Sequence, residues 1–186
     1  TNIYPFKCYF EKISEFDFHC IDWHWHTELE FVYIESGSMT LWVGEKKLEL
    51  SEGEGIFINS KILHRFYSDD EAVIPNFLCK PSFISSENNL IYQKYIKPII
   101  SSSFAFQVFQ EDVLWQSEVL SIMRQIFNAQ EQDSARELLT SVLVQKLWLI
   151  FFENIDKTLV DEQTNTSGSA QARLQLIMQF IHQNYK

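Results

Sequence analysis

The stretch Trp23-His24-Trp25-His26-Thr27-Glu28-Leu29-Glu30 places two histidines and two glutamates within eight residues, and Gly37 follows Glu30 after six intervening residues. In an extended chain, side chains alternate faces with a period of two, so His24, His26 and Glu30 share one face. One strand would then aim two imidazoles and a carboxylate at a single point. Val32 and Ile34 fall on the same face, which sets the polar group at one end of an apolar interior, where an unpaired charge is costly. A divalent cation would relieve that cost. With the downstream His64 the candidate set is His24, His26, Glu30 and His64. Three imidazoles and one carboxylate suit zinc, iron, manganese or nickel and do not suit calcium. The competing reading is a group of pocket side chains hydrogen-bonded to backbone, water or an organic ligand, with no metal required. Glu28 has the same parity, so the inward carboxylate is either Glu28 or Glu30.

Outward from this stretch, residues from Phe6 to Phe109 read as short strands separated by turn signals, the pattern of a sandwich or barrel. Glu28 to Ile34 and Met39 to Val43, joined by Glu35-Ser36-Gly37-Ser38, predict a hairpin. Val43-Gly44-Glu45-Lys46 predicts a further turn into Lys47 to Leu50. Ile56-Phe57-Ile58 reads as a strand buried on both faces. From Asp112 the period changes. Trp115, Val119, Ile122, Met123 and Ile126 recur at helical spacing, and Asp133-Ser134-Ala135-Arg136-Glu137 offers a capping signal before Leu139, Val142, Leu143, Leu147 and Ile150. The short connection around Gln130 to Asp133 makes the two helices antiparallel neighbours. Leu138, Val144, Trp148, Phe151 and Phe152 widen the second helix beyond one stripe, which predicts either one face on the barrel and another on a second copy of the chain, or both faces buried within one chain.

Asp161 to Ser169 is polar and reads as part of a flexible linker. Leu174, Ile177, Met178, Ile181 and Tyr185 then restart a helical stripe. The division expected is therefore a barrel over 1–109, a helical hairpin over 110–156, a linker over 157–172, and over 173–186 the first helix of a further domain.

The 186 residues are 46% hydrophobic and 15% aromatic, enough for one well-filled core. The longest apolar runs are far shorter than the ~20 residues that cross a bilayer. The amino end lacks the basic-then-apolar profile of a signal peptide, and a cytoplasmic location is expected. Three cysteines with no C-x-x-C pair favour buried thiols over a disulfide framework. The formal net charge of -10 argues against direct nucleic-acid binding by this segment, because phosphate contacts need clustered Lys and Arg. There is no phosphate-cradling glycine loop and no evident nucleophile–base pair.

The His-x-His-x-x-x-Glu spacing with Gly37 resembles the first cupin motif. Gly53, followed eleven residues later by His64, resembles the second. Asn59 and Lys61 stand where that family usually has proline and glycine, and Ser68 where asparagine is common. The order of the whole chain resembles the amino-terminal region of AraC-type transcriptional regulators, and Arg173 to Tyr185 is similar to the opening helix of their DNA-binding domain. The resemblance implies a mainly β plus α fold: a cupin-like double-stranded β-helix, or jelly-roll, barrel followed by an antiparallel helical hairpin. It further implies a homodimer through residues 113–155, and DNA contact only through a carboxy-terminal helix-turn-helix domain beyond this sequence.

Two functions follow as expectations. The first is a non-enzymatic region that senses a small-molecule effector, a sugar or another organic compound, for a DNA-binding regulator. Its ligand contacts are His24, His26, Glu30 and His64, with aromatic walls from Trp25, Phe31, Tyr33 or Trp42 according to register; no cofactor is required, and a divalent metal is an optional occupant of the four residues. The second is a metal-dependent cupin oxygenase or isomerase that uses the same four residues as ligands.

Overall fold

The computed structural model describes residues 4–161. The strands are β1 (Phe6–Lys12), β2 (Cys20–His24), β3 (Leu29–Tyr33), β4 (Ser38–Val43), β5 (Lys46–Ser51), β6 (Gly55–Ile58), β7 (His64–Tyr67), β8 (Val73–Cys79) and β9 (Phe106–Phe109). They form two antiparallel sheets, a five-stranded one in the order β1-β8-β3-β6-β9 and a four-stranded one in the order β2-β7-β4-β5. The helices are α1 (Pro81–Ile84), α2 (Lys97–Ile100), α3 (Leu114–Ala129), α4 (Arg136–Asn154) and α5 (Lys157–Asp161), with a π-helical turn at Tyr92–Ile96. None of the helices in the described residues is long and apolar enough to cross a membrane.

Alternation along the strands builds two cores. Val32 from β3 and Ile34 just beyond it, Ile56 and Ile58 from β6, and Met39 and Leu41 from β4 fill the space between the sheets. The opposite face of the five-stranded sheet, with Leu29, Phe31, Phe57 and Phe77, packs against the helices. A strand in that sheet is covered on both sides, which is why Gly55–Ile58 is buried throughout. β4, whose outer face meets solvent, instead alternates. Phe57 sits 4.9 Å from Phe31 and 4.7 Å from Phe151 of α4 between ring centroids, and each such buried side chain contributes roughly 1.5–3 kcal/mol. A Cβ at Gly55 would meet Leu120 Cδ2 at 2.8 Å and the Val32 carbonyl at 3.0 Å, so glycine lets α3 lie close on β6.

The expected β3–β4 hairpin does not form. β3 pairs with β6 and β8, while β4 pairs with β5 and β7. The connection through Gly37 carries the chain from one sheet to the other, and two apolar faces enclosing one core require that crossing. Gly37 has φ +80, and a Cβ there would approach Ala72 Cα to 3.1 Å. The β4–β5 hairpin does form, with Val43 opposite Lys46 across the Gly44-Glu45 turn.

α3 and α4 make the antiparallel hairpin. Val119, Leu120, Met123 and Phe127 of α3 and Leu143, Val144, Leu147 and Phe151 of α4 are buried. Leu138, Val142 and Leu149 lie on the opposite side of α4 and are exposed by 69%, 56% and 56%. The expected cap is not realised: Ala135 occupies the N-cap position in a left-handed conformation and no side chain caps α4. Two further segments depart from the sequence reading. The stretch between β8 and β9, read as strand and loop, contains α1, the π turn and α2. The first residues of the expected linker form α5, where Asp156 Oδ1 accepts the Thr158 N–H at 2.9 Å in the manner of an N-cap. The remainder of that linker and the helix expected over 173–186 lie outside the described residues.

The motif departures have structural counterparts. Asn59, 2% exposed, donates through Nδ2 to the carbonyls of Ile99 and Phe104 at 2.9 and 2.7 Å, fastening the loop before β9 to the barrel. Lys61 adopts φ +64, a conformation glycine takes freely, and its N–H donates to the His26 carbonyl at 2.7 Å. Ser68 Oγ donates to the Ser38 carbonyl at 2.6 Å, tying the end of β7 to the start of β4.

Candidate functional site

One strand does not supply the ligand set. His24 ends β2 in the four-stranded sheet and Glu30 lies in β3 of the other, with His26 in the connection between them. His64 opens β7 and faces His24 in the register. The chain turns the corner between sheets at this point, so residues of equal parity converge from two walls. Donor atoms of all four side chains lie within 4.8 Å of one another. Of the two candidate carboxylates, Glu30 is the inward one, at 3% exposure. Glu28 is half-buried and lines the adjoining cavity.

Each imidazole is oriented by a backbone carbonyl. His24 Nδ1 lies 2.7 Å from the Asp22 carbonyl, His26 Nδ1 3.1 Å from that of Glu28, and His64 Nδ1 2.8 Å from that of Ile62. A carbonyl only accepts, which assigns the proton to Nδ1 in each ring and leaves Nε2 as the nitrogen able to offer a lone pair. This is the arrangement by which metal-binding histidines are held. His26 Nε2 lies 3.1 Å and His64 Nε2 2.9 Å from the same oxygen, Glu30 Oε2. His64 Nε2 is buried and, despite that short distance, out of hydrogen-bonding alignment with any described group.

The electrostatics follow from this packing. Burial alone would raise the Glu30 carboxyl, but the His26 and His64 imidazoles against it prevail and hold it at about 2. Burial disfavours charge on His26, yet its hydrogen bond and charge attraction to Glu30, aided by Glu28, raise it above the ordinary imidazole value. Burial lowers His24, and the neighbouring His64 adds to that. The cluster thus pairs an ionised carboxylate with imidazoles of unequal basicity, and one Nε2 has no aligned partner.

These residues fit a divalent cation. Two Nε2 lone pairs directed at a carboxylate oxygen repel it when the rings are neutral, and a cation among them removes the conflict and engages the orphaned His64 nitrogen. His24, His26, His64 and Glu30 would hold it. Bound there, it would supply a Lewis-acid position facing the cavity.

The cavity has a volume of about 530 Å³ and reaches from the cluster to the β1–β8 side of the barrel. Its lining includes Tyr9, Glu11, Phe66 and Asn76 besides His24, His26 and Glu30. None of the four expected aromatic walls is in it. Phe31 faces the helices, stacked 4.9 Å from Phe77. Tyr33, on the same side of β3, accepts a hydrogen bond from Arg124 of α3 at 3.1 Å. Trp42 points out of β4, with Lys47 Nζ 6.0 Å above its ring. The reason is parity: odd residues of β3 and even residues of β4 face away from the barrel interior. Trp25 is half-buried and does not line the cavity. The further wall residues come from β1, β2, β7 and β8 and from the chain flanking β1 and β8. In β1 the signal was present, since Lys7, Tyr9 and Glu11 alternate with Phe6, Cys8 and Phe10.

Comparison with known proteins agrees with this architecture. A family model described as "Cupin domain" matches residues 19–75. The uncharacterised HTH-type transcriptional regulator YdeC of Bacillus subtilis is 25% identical over 97% of this chain, and the chain spans 62% of that relative's length. Among solved structures, apo ToxT from Vibrio cholerae aligns with a TM-score of 0.52 at 13% identity, covering 98% of this chain and 67% of that one. A cupin-2 domain protein from Shewanella frigidimarina aligns with a TM-score of 0.36 at 16% identity over 43% of this chain and 76% of its own. With two antiparallel sheets around one core, the two histidine motifs at the junction between them and helices against the outer face, this chain has a cupin fold.

Proposed function

We propose that the chain is the effector-sensing and dimerisation region of an AraC-type DNA-binding transcription regulator. The observation that carries the reading is the continuation of the barrel into a two-helix hairpin whose outer face exposes Leu138, Val142 and Leu149, in a chain that aligns over 97% of its length with a relative named as an HTH-type regulator. A small organic effector enters the cavity beside His24, His26, Glu30 and His64. It biases the barrel and hairpin toward the arrangement it binds better, because a ligand shifts an equilibrium only by its differential affinity for two states. DNA contact belongs to a carboxy-terminal domain, consistent with the net charge of -10 here. The cytoplasm is the compartment this role requires.

The reading frame of the gene beyond Lys186 tests the proposal. Two further helix-turn-helix patterns are expected, and a frame that closes without them would overturn the regulator reading. A metal-dependent cupin enzyme, an oxygenase or isomerase, is the second reading, favoured by the three-histidine, one-carboxylate donor set. It gives no role to the exposed stripe on α4.

A further inference from the structure

The cavity has a second polar group, displaced along β8 from the row that holds Glu30. In the register of β1 with β8, Lys7 stands opposite Leu78 and Tyr9 opposite Asn76. In that of β3 with β8, Glu30 stands opposite Leu78. The wall therefore runs from a row containing Glu30 and Lys7 to one containing Asn76 and Tyr9, with Glu11 beyond. Asn76 is 2% exposed, and both hydrogens of its amide are committed: Nδ2 donates to Glu11 Oε2 at 2.8 Å and to the Ile74 carbonyl at 3.2 Å. Both neighbours only accept, which fixes the orientation of the amide.

What this group can offer a ligand is the Glu11 carboxylate and Asn76 Oδ1, and both accept. Burial raises the Glu11 carboxyl, the Asn76 amide lowers it, and the negative charge of Glu30 raises it further. A half-buried carboxylate facing a cavity is costly until something positive meets it. A ligand carboxylate or phosphate would add repulsion. A hydroxyl would satisfy the geometry and leave the charge uncompensated. An ammonium group does both, through charge-assisted hydrogen bonds, and the ring of Tyr9 lining the same wall attracts a cation to its face.

We infer that Glu11 and Asn76 form a subsite for the ammonium group of an organic amine, with Tyr9 beside it. The inference rests on the reading of the barrel as an effector site and names the chemistry that one part of it selects.

The probes are n-butylammonium, butane-1,4-diol and butyrate, each titrated into the isotope-labelled chain and followed by backbone amide shifts. Butylammonium should perturb amides around Tyr9–Glu11 and Ile74–Asn76, and Glu11→Gln, which is isosteric and keeps an acceptor for Asn76, should weaken its binding by about tenfold. Glu11→Asp, which keeps the charge, should retain part of the response. Equal binding to wild type and Glu11→Gln, a diol or butyrate response as strong as the amine's, or no shift at these amides in the wild type would each overturn the inference. Should Glu11→Gln fail to fold, the wild-type comparison of amine with diol decides. Zinc uptake, measured separately on the same wild-type sample, reports on the histidine cluster: its failure counts against metal binding there, whereas failure of the amine response counts against the subsite.

Discussion

His64 Nε2 lies 2.9 Å from Glu30 Oε2, fully shielded from solvent, without the alignment of a hydrogen bond. An imidazole nitrogen and a carboxylate oxygen are held that close without a hydrogen bond only where the surrounding backbone fixes both, and here the Ile62 carbonyl holds the ring while β3 holds the carboxylate. The arrangement suits a third, positively charged participant, and it makes the metal-free site sensitive to protonation.

The pH response has a definite sign. Glu30 is depressed from 4.5 to about 2 in the folded protein, so its contribution to stability is complete above its ordinary value and is lost as pH falls toward 2. His26 is raised above 6.5, so its contribution is complete below that value and is lost as pH rises through the folded one. Urea unfolding of metal-free protein should therefore show greatest stability between the two limbs. Glu30→Gln should flatten the acid limb and lower the NMR-detected titration of His26, because its hydrogen bond and charge attraction to the Glu30 carboxylate are lost. An unchanged His26 titration would contradict the assignment.

Gly37→Ala should destabilise the protein by about 1–3 kcal/mol, since it combines a left-handed φ of +80 with a Cβ pressed to 3.1 Å from Ala72 Cα. Gly44→Ala, at φ +58 with open space around it, should cost less. Denaturant midpoints of the two variants give the order directly, and the reverse order would show that the sheet-to-sheet crossing does not depend on Gly37.

Asn59→Ala should cost roughly 2 kcal/mol or more, because two buried carbonyls, those of Ile99 and Phe104, lose their donor. Hydrogen exchange should rise first in the segment from Ile99 to Phe106. A change confined to the histidine cluster would refute a fastening role.

These positions also mark how far the sequence could be read. The histidine and glutamate spacing identified the cluster, because parity survives whether the residues share a strand or meet across a corner. It could not tell those cases apart, and the expected hairpin through Gly37 became a crossing between sheets for the same reason: local pattern gives alternation and leaves the pairing partner open. Ile56-Phe57-Ile58 was legible as a doubly buried strand, and the α3–α4 hairpin as a change of period. The aromatic walls were misplaced at Phe31, Tyr33 and Trp42 because aromatic residues serve the outer helix-facing core and the solvent face as readily as a cavity. The wall from β1 and β8 stayed unread because Glu11 and Asn76 are separated by 65 positions and meet only through strand pairing.

The exposed stripe on α4 gives a prediction of oligomeric state. If it joins two copies, light scattering should give a dimer for the wild-type chain and a monomer for Leu149→Glu. The fold should be retained, since Leu149 is 56% exposed and surface substitutions usually change stability by less than about 0.5 kcal/mol. A wild-type monomer would remove the dimer from the proposed function.

The metal content of the chain, purified without a nickel column and measured by elemental analysis, tests the central claim most directly. About one equivalent of zinc, iron, manganese or nickel is expected in the wild type, falling below about a tenth of an equivalent in Glu30→Gln and His64→Ala. Less than about a tenth of an equivalent in the wild type across preparations, unchanged after incubation with each ion, would contradict the four-residue metal site.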